Sequence, residues 1–139
     1  MITGINHLTL SVRDLDESLD FYTKVLGCDP MAKWSGGAYL LAGGIWIALI
    51  VDPEVRNAAP REYSHIAFDI DPEDFPELSR RIILSGAEIW QSNRSEGASL
   101  YFCDPNGHKL ELHTSNLTNR LRAARDDGWE GLEVYRSKT

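Results

Sequence analysis

The chain has 139 residues, 42% of them hydrophobic and 25% charged, with a formal net charge of -7. That size and apolar content suit one globular domain with an adequate core, while the negative balance opposes a general phosphate-backbone binder. No apolar run approaches the roughly 20 residues that cross a bilayer, so neither nucleic acid nor membrane is an expected partner. The N-terminus has no basic segment leading into an apolar stretch, and a cytoplasmic location is expected. Cys28 and Cys103 form no CxxC motif, which favours two reduced structural thiols over a disulfide.

Ile5 to Val12 alternates, with Leu8, Leu10 and Val12 on one face and His7, Thr9 and Ser11 on the other; this predicts a half-buried strand. Asp14 opens a helical stretch with an apolar stripe from Leu15 to Leu26, Asp16 and Glu17 in its first turn and Gly27 as its stop. Three short strands follow, Met31 to Trp34, Ala38 to Leu41 and Ile45 to Val51, separated by Gly36-Gly37 and Gly43-Gly44 turns. The stretch from Asp52 to Arg61, with Pro53 and Pro60, reads as a connection inside one domain.

The order then repeats. Tyr63 to Ile70 alternates, with Ile66, Phe68 and Ile70 opposite His65, Ala67 and Asp69, and a helix is predicted from about Pro72 to Leu84, closed by Gly86. Ala87 to Gln91, Ser99 to Cys103 and Lys109 to His113 supply three more strands, the last two joined by the turn Asp104-Pro105-Asn106-Gly107. Laying His7 on His65 aligns Asn-His-Leu-Thr-Leu with Ser-His-Ile-Ala-Phe and brings Gly27 close to Gly86. The chain is therefore predicted to be α+β, one domain over 1–139 built from tandem βαβββ modules, 1–60 and 61–114. A final helix from about Asn116 to Arg125, capped by Ser115, and a polar tail complete 115–139.

The repeat places His7 and His65 at matching positions, each opposite its apolar stripe. Alternation in the last strand buries Leu110 and Leu112 and turns Lys109, Glu111 and His113 to the other side. Two imidazoles and a carboxylate on rigid strands commonly hold a divalent transition metal with positions left for substrate. A lone strand histidine is usually just hydrogen-bonded, but its repetition favours a ligand pair. His108, beside a turn, and His113, at a strand end, rank behind His7, His65 and Glu111.

With these residues the chain resembles the vicinal oxygen chelate superfamily, in which two such modules cup a metal. Within it, the chain is similar to the fosfomycin-resistance thiol transferases. The resemblance is carried by Asn6 to Leu10, Trp34, Gly37 to Leu40, Ile45-Trp46, His65 to Phe68, Asn93 to Tyr101, Asp104 to His113, Leu117 and Arg120-Leu121. It spans nearly the whole chain, and the loop Ser95-Glu96-Gly97-Ala98-Ser99-x-Tyr101-Phe102 is its most specific part.

The resemblance implies a manganese-dependent enzyme that opens the fosfomycin epoxide with the thiol of glutathione. His7, His65 and Glu111 match the manganese ligands, and a divalent ion there would stabilise the charge developing on the opening oxygen. Thr9 matches a hydroxyl donor near that oxygen, and Tyr39 the residue that orients or deprotonates the thiol. Tyr101 and Arg120 match phosphonate contacts, Ser95 and Ser99 hydroxyls of the same pocket, and Trp34 and Trp46 aromatic walls. Asn93, Ser95, Glu96, Gly97 and Ser99 fall in a potassium-binding loop, where Gly97 lets carbonyl oxygens converge. The resemblance also implies a homodimer whose metal sites take His7 from one subunit and His65 and Glu111 from the other.

Two positions depart from that pattern. Gln91 stands where the glutathione-using branch carries a lysine, and a lost charge-assisted contact costs about 1.5–3 kcal/mol unless replaced; Arg94 is near enough in sequence to replace it or to meet the carboxylates of the thiol. Ile50 stands where a small polar residue is expected along the thiol channel. Water addition would need a carboxylate base near Trp46, and the stretch from Lys33 to Val51 contains no Asp or Glu. A glyoxalase-like isomerase or a dioxygenase would share the ligand triad, whereas a metal-free sequestering protein would lack it.

Overall fold

A computed structural model describes residues 1–135. The last four positions of the expected polar tail, 136–139, lie outside the described residues. The first module contains β1 (His7–Val12), α1 (Leu15–Asp20), β2 (Asp29–Trp34), β3 (Gly37–Ala42) and β4 (Ile45–Val51). The second contains β5 (Ile66–Asp69), α2 (Phe75–Leu84), β6 (Ile89–Gln91), β7 (Ser99–Cys103) and β8 (Lys109–His113), and α3 (Leu117–Asp127) follows. The strands form two four-stranded mixed sheets of identical topology, β1-β4-β3-β2 and β5-β8-β7-β6. In each, the first and last strands of the module pair in parallel and the other pairs are antiparallel. The α+β architecture and the C-terminal helix are as the residue pattern predicts.

Local chemistry explains the element ends. The Asp14 carboxylate accepts from the Glu17 N–H at 3.1 Å and starts α1. The helix continues as a π-helical turn over Phe21–Val25, with Leu26 N–H bonding the Phe21 carbonyl at 3.0 Å, until Gly27 turns away at φ 79°. The wide turn keeps Phe21 and Tyr22 both buried, although neighbours on a regular α-helix diverge by about 100°. β5 begins at Ile66, three residues after the expected start, leaving His65 immediately before the strand. α2 begins at Phe75 and not Pro72, because Pro76 is tolerated only in a helix's first turn. The cap of α3 is Asn116, whose side chain accepts from Asn119 N–H at 2.9 Å; Ser115, expected in that role, instead donates its hydroxyl to Glu96.

The two sheets share one core. Leu10, Val12, Leu40, Ile47 and Leu49 from the first meet Phe102, Leu110 and Leu112 from the second, with Phe21, Tyr22 and Ile82 from the helical segments. Alternation then turns the opposite faces, bearing His7 and Thr9 in one sheet and Glu111 and His113 in the other, away from that core. No helix among the described residues is long and apolar enough to cross a membrane.

The turn between β7 and β8 locks the modules together. Asp104 accepts from the Tyr22 hydroxyl at 2.7 Å and from the backbone N–H groups of Asn106 and His108 at 2.8 and 3.0 Å. Asn106 donates to Ser18 Oγ at 2.9 Å and accepts from Arg13 N–H at 2.9 Å. Burial, reinforced by the Asp104 charge, pushes the Tyr22 phenol well above its ordinary range. Gly107 sits at φ 80°, and a Cβ there would lie 2.8 Å from Ala58 C and Ala59 N. Replacing Gly107 by Ala is expected to destabilise the fold by about 2–3 kcal/mol, from left-handed strain plus backbone crowding. Gly86→Ala, at φ 82° but facing open space, should cost only about 1 kcal/mol. Urea unfolding of the two variants checks the difference, and equal losses would contradict it.

Candidate active site

The outward face of the second sheet centres on Glu111, which is 5% exposed. Its strand neighbours in register are Ala67 on β5 and Tyr101 on β7, while Ser99 pairs with His113. Glu111 Oε1 lies 2.9 Å from His65 Nε2, and Oε2 accepts from Ser99 Oγ at 2.7 Å. His65 Nδ1 is 2.7 Å from the Tyr63 carbonyl. A carbonyl only accepts, so Nδ1 carries a proton, and in the singly protonated ring Nε2 is a bare acceptor facing a carboxylate oxygen. A protonated ring would close this contact as an ion pair with Glu111; in the neutral ring the nitrogen lone pair and the carboxylate oxygen converge, and the pair could hold one edge of a divalent-metal site. The ring is boxed by Tyr63, Trp90 and Tyr101, with centroids 5.0, 5.2 and 5.9 Å away.

His7 is not with them. Among the described residues, no group of three or more His, Cys, Asp or Glu is arranged to hold a metal ion. The imidazole lies on the outward face of the first sheet, with Nδ1 2.7 Å from Asn6 Oδ1 and its ring 4.3 Å from that of Trp46. The β1, β4 and β3 registers align His7 with Trp46 and, two residues on, Thr9 with Ala48 and Tyr39. Tyr39 contacts Trp46 at 5.0 Å and Trp34 at 4.8 Å, edge to face. Trp46 Nε1 is buried and has no hydrogen-bond partner among the described residues. Ile50 lies on this same face, aligned with Ser11 and Gly37.

The loop before β7 is held by its own polar groups. The Asn93 amide donates to the Gly97 carbonyl at 2.9 Å and accepts from the Ser95 N–H at 3.1 Å, while the Ser95 hydroxyl is 3.4 Å from that of Tyr101. Gly97, at φ 82°, passes so close to Ser115 that a Cβ would lie 2.8 Å from Ser115 Cβ. Glu96 faces Arg120, Nε to Oε2 3.5 Å. Gln91 accepts from Arg94 Nη2 at 3.1 Å and donates to the Tyr63 hydroxyl at 3.0 Å, so the guanidinium is drawn to the aromatic wall beside His65.

The sequence residues therefore fall into two groups, His7, Thr9, Trp34, Tyr39 and Trp46 on one sheet and His65, Glu111, Ser95, Ser99, Tyr101 and Arg120 around the other. Tyr63 and Trp90 were not singled out from sequence. Trp90 donates Nε1 to the carbonyls of Phe102 and Leu110, both at 3.1 Å, a link across strands that local alternation does not reveal. A cleft of about 500 Å³, lined by Leu26, Cys28, Ile45, Phe68 and other residues, contains none of the candidate site residues.

A family model for the glyoxalase/bleomycin resistance protein/dioxygenase superfamily matches residues 4–112. The chain is 46% identical over 134 residues to the glutathione transferase FosA of Serratia marcescens, covering 95% of each chain. It is 38% identical over 126 residues to the metallothiol transferase FosB of Shouchella clausii, covering 87% of this chain and 86% of the relative. In three dimensions it is similar to the fosfomycin resistance protein FosX of Listeria monocytogenes complexed with Mn(II) and sulfate. The TM-score is 0.77 with 32% identity, over 88% of this chain and 98% of the other.

The chain's own thiols are poor nucleophiles. Cys28 and Cys103 are free, and burial, helped by nearby acidic groups, pushes both thiols from 9.0 up to about 11. Ellman's reagent at pH 7.5 should modify the native protein about 100-fold more slowly than a free thiol, in line with the lower thiolate fraction. Both should react promptly in guanidinium chloride, and native reactivity equal to the unfolded rate would contradict the burial argument.

Proposed function

The chain belongs to the glyoxalase/bleomycin resistance protein/dioxygenase superfamily, among the fosfomycin-resistance thiol transferases, and from that premise we propose that it inactivates fosfomycin by adding glutathione to an epoxide carbon. The observation that carries this reading is the convergence of His65 Nε2 and Glu111 Oε1, an imidazole nitrogen and a carboxylate oxygen 2.9 Å apart that could ligate one divalent ion together. Imidazole and carboxylate ligands suit several divalent ions, and the manganese in the similar FosX structure favours Mn²⁺ here. His7 of one subunit would complete the set with His65 and Glu111 of the other, so the two modules of one domain, 1–60 and 61–114, would each supply part of a different site. A symmetric dimer fits the exposed faces: β1 and β5 are both edge strands, and Trp34 and Tyr39 are 41% and 37% exposed.

When bound, the divalent ion supplies Lewis-acid stabilisation of the epoxide oxygen. Tyr39 orients the thiol, which loses its proton as its sulfur attacks carbon from the side opposite the breaking C–O bond, and the alkoxide released gains one proton, so that the product is the thioether alcohol. Thr9 donates to that oxygen, and Trp46 walls the pocket. Arg120, Tyr101 and Ser95 hold the phosphonate, and Ser99 lines the same pocket with its hydroxyl donated to Glu111. Trp34 and Arg94 face the thiol, and the guanidinium at Gln91 supplies positive charge on the side where the lysine is lacking. Potassium would sit among the oxygens of Asn93, Ser95, Glu96, Gly97 and Ser99, raising the positive potential over the phosphonate. Glutathione is an intracellular thiol, and a cytoplasmic enzyme with two free cysteines fits it.

Water addition is the second reading, supported by the similarity, at TM-score 0.78 and 33% identity, to a FosX variant complexed with Mn(II) and 1S,2S-dihydroxypropylphosphonic acid, a diol; against it stands the absence of any carboxylate from Lys33 to Val51. Mass spectrometry of fosfomycin incubated with the protein, Mn²⁺ and K⁺, with and without glutathione or cysteine, separates them. The expected result is a glutathione adduct that vanishes on chelation. A diol formed without thiol would overturn the transferase reading, and an adduct with cysteine alone would change the co-substrate. Glu111→Gln should lower kcat/KM by at least about 100-fold, the scale of several kcal/mol of lost charge stabilisation; an unchanged value would overturn the role of Glu111.

A further inference from the structure

Glu111 Oε2, the oxygen turned away from His65, is held by a chain of hydrogen bonds that reaches the C-terminal helix. It accepts from Ser99 Oγ at 2.7 Å, the same hydroxyl lies 2.6 Å from His113 Nδ1, and His113 Nε2 lies 3.4 Å from Arg120 Nη2. Both ends have fixed polarity, since a guanidinium only donates and a carboxylate only accepts. Arg120 thus makes His113 Nε2 an acceptor, which places the ring proton on Nδ1. Nδ1–H donates to Ser99 Oγ, and the single proton of Ser99 has one remaining direction, toward Glu111. In the neutral ring no other arrangement satisfies every member.

The chain is also sheltered. The side chains of Glu111 and His113 are 7% and 16% exposed, and a Cβ at Gly97 would lie 3.3 Å from His113 Cε1, so the loop before β7 packs directly on the imidazole. His113 Nδ1 is itself 3.3 Å from Glu111 Oε2, a second restraint on the same oxygen.

We infer that His113 is a positioning residue for the metal carboxylate. It directs the Ser99 proton onto Oε2, keeps Oε1 turned to His65 Nε2, and so sets the affinity for the divalent ion. The inference rests on His65 and Glu111 being metal ligands, and it gives a role to a histidine that the sequence pattern ranks as a strand-end residue. Groups that orient a ligand commonly change metal affinity 10- to 100-fold when removed.

The test is Mn²⁺ affinity of the full chain, read from the EPR signal of free Mn²⁺, for wild type, His113→Asn, His113→Gln and His113→Leu. The Asn amide nitrogen falls where Nδ1 was and donates to Ser99; Gln places its amide near Nε2, and Leu donates nothing. His113→Leu and His113→Gln should weaken binding by about tenfold or more, while His113→Asn stays within about threefold of wild type. Wild-type affinity in His113→Leu, or equal losses in the Asn and Gln variants, would overturn the role of His113. Should His113→Leu fail to fold, the Asn and Gln pair alone decides. Wild-type protein that binds no Mn²⁺ would overturn the metal centre as well, which separates the two failures.

Discussion

A strand has two faces, and in this chain both sheets commit their apolar faces to the same core. Leu10, Val12, Ile47 and Leu49 cannot meet Phe102, Leu110 and Leu112 unless the polar faces point away from one another. That constraint decides where chemistry can occur. His7 and Thr9 belong to one outward face, Glu111 and the neighbouring His65 to the other, and among the described residues no three such side chains gather to hold a metal. The buried turn at Asp104 to His108 clamps this arrangement, because Tyr22, Ser18 and Arg13 of the first module all bond to it.

Each outward face consequently carries a different set of groups. The second presents the carboxylate of Glu111 beside the ring nitrogen of His65. The first has a buried indole donor on Trp46 without an acceptor among the described residues and an exposed Trp34–Tyr39 pair. Bringing the two faces together across subunits would place His7 beside His65 and Glu111 and exclude water from the space between them, where electrostatic interactions strengthen. The chain's net charge of -7 disfavours anions in general, and Arg94 and Arg120 are cations placed beside the second face.

Much of this was legible in the residues. Period-two alternation located β1, β4, β7 and β8 closely, and the repeated histidine at the start of each module marked His7 and His65 as a pair. Elements governed by longer-range terms were less legible. The π-helical turn follows from burying Phe21 and Tyr22 together, and the start of α2 from Pro76 outweighing Pro72. The cap of α3 moved to Asn116 because Ser115 is engaged by Glu96, a contact between residues far apart in sequence. Trp90 carries no local signal and His113 ranks only as a weaker candidate for the same reason, since their partners lie on other strands or on α3. The separation of the ligands onto opposite faces is likewise a property of packing, which no local spacing encodes.

The account depends most on the site being shared between chains. The direct measurement mixes His7→Ala subunits with Glu111→Ala subunits, each inactive alone, by refolding them together, and assays fosfomycin turnover with glutathione. Random pairing makes half of the dimers hybrids, each with one intact site, so activity should return to about a quarter of wild type. Activity that stays at the level of the separate variants, in dimers shown to have exchanged, would contradict a site built from two chains.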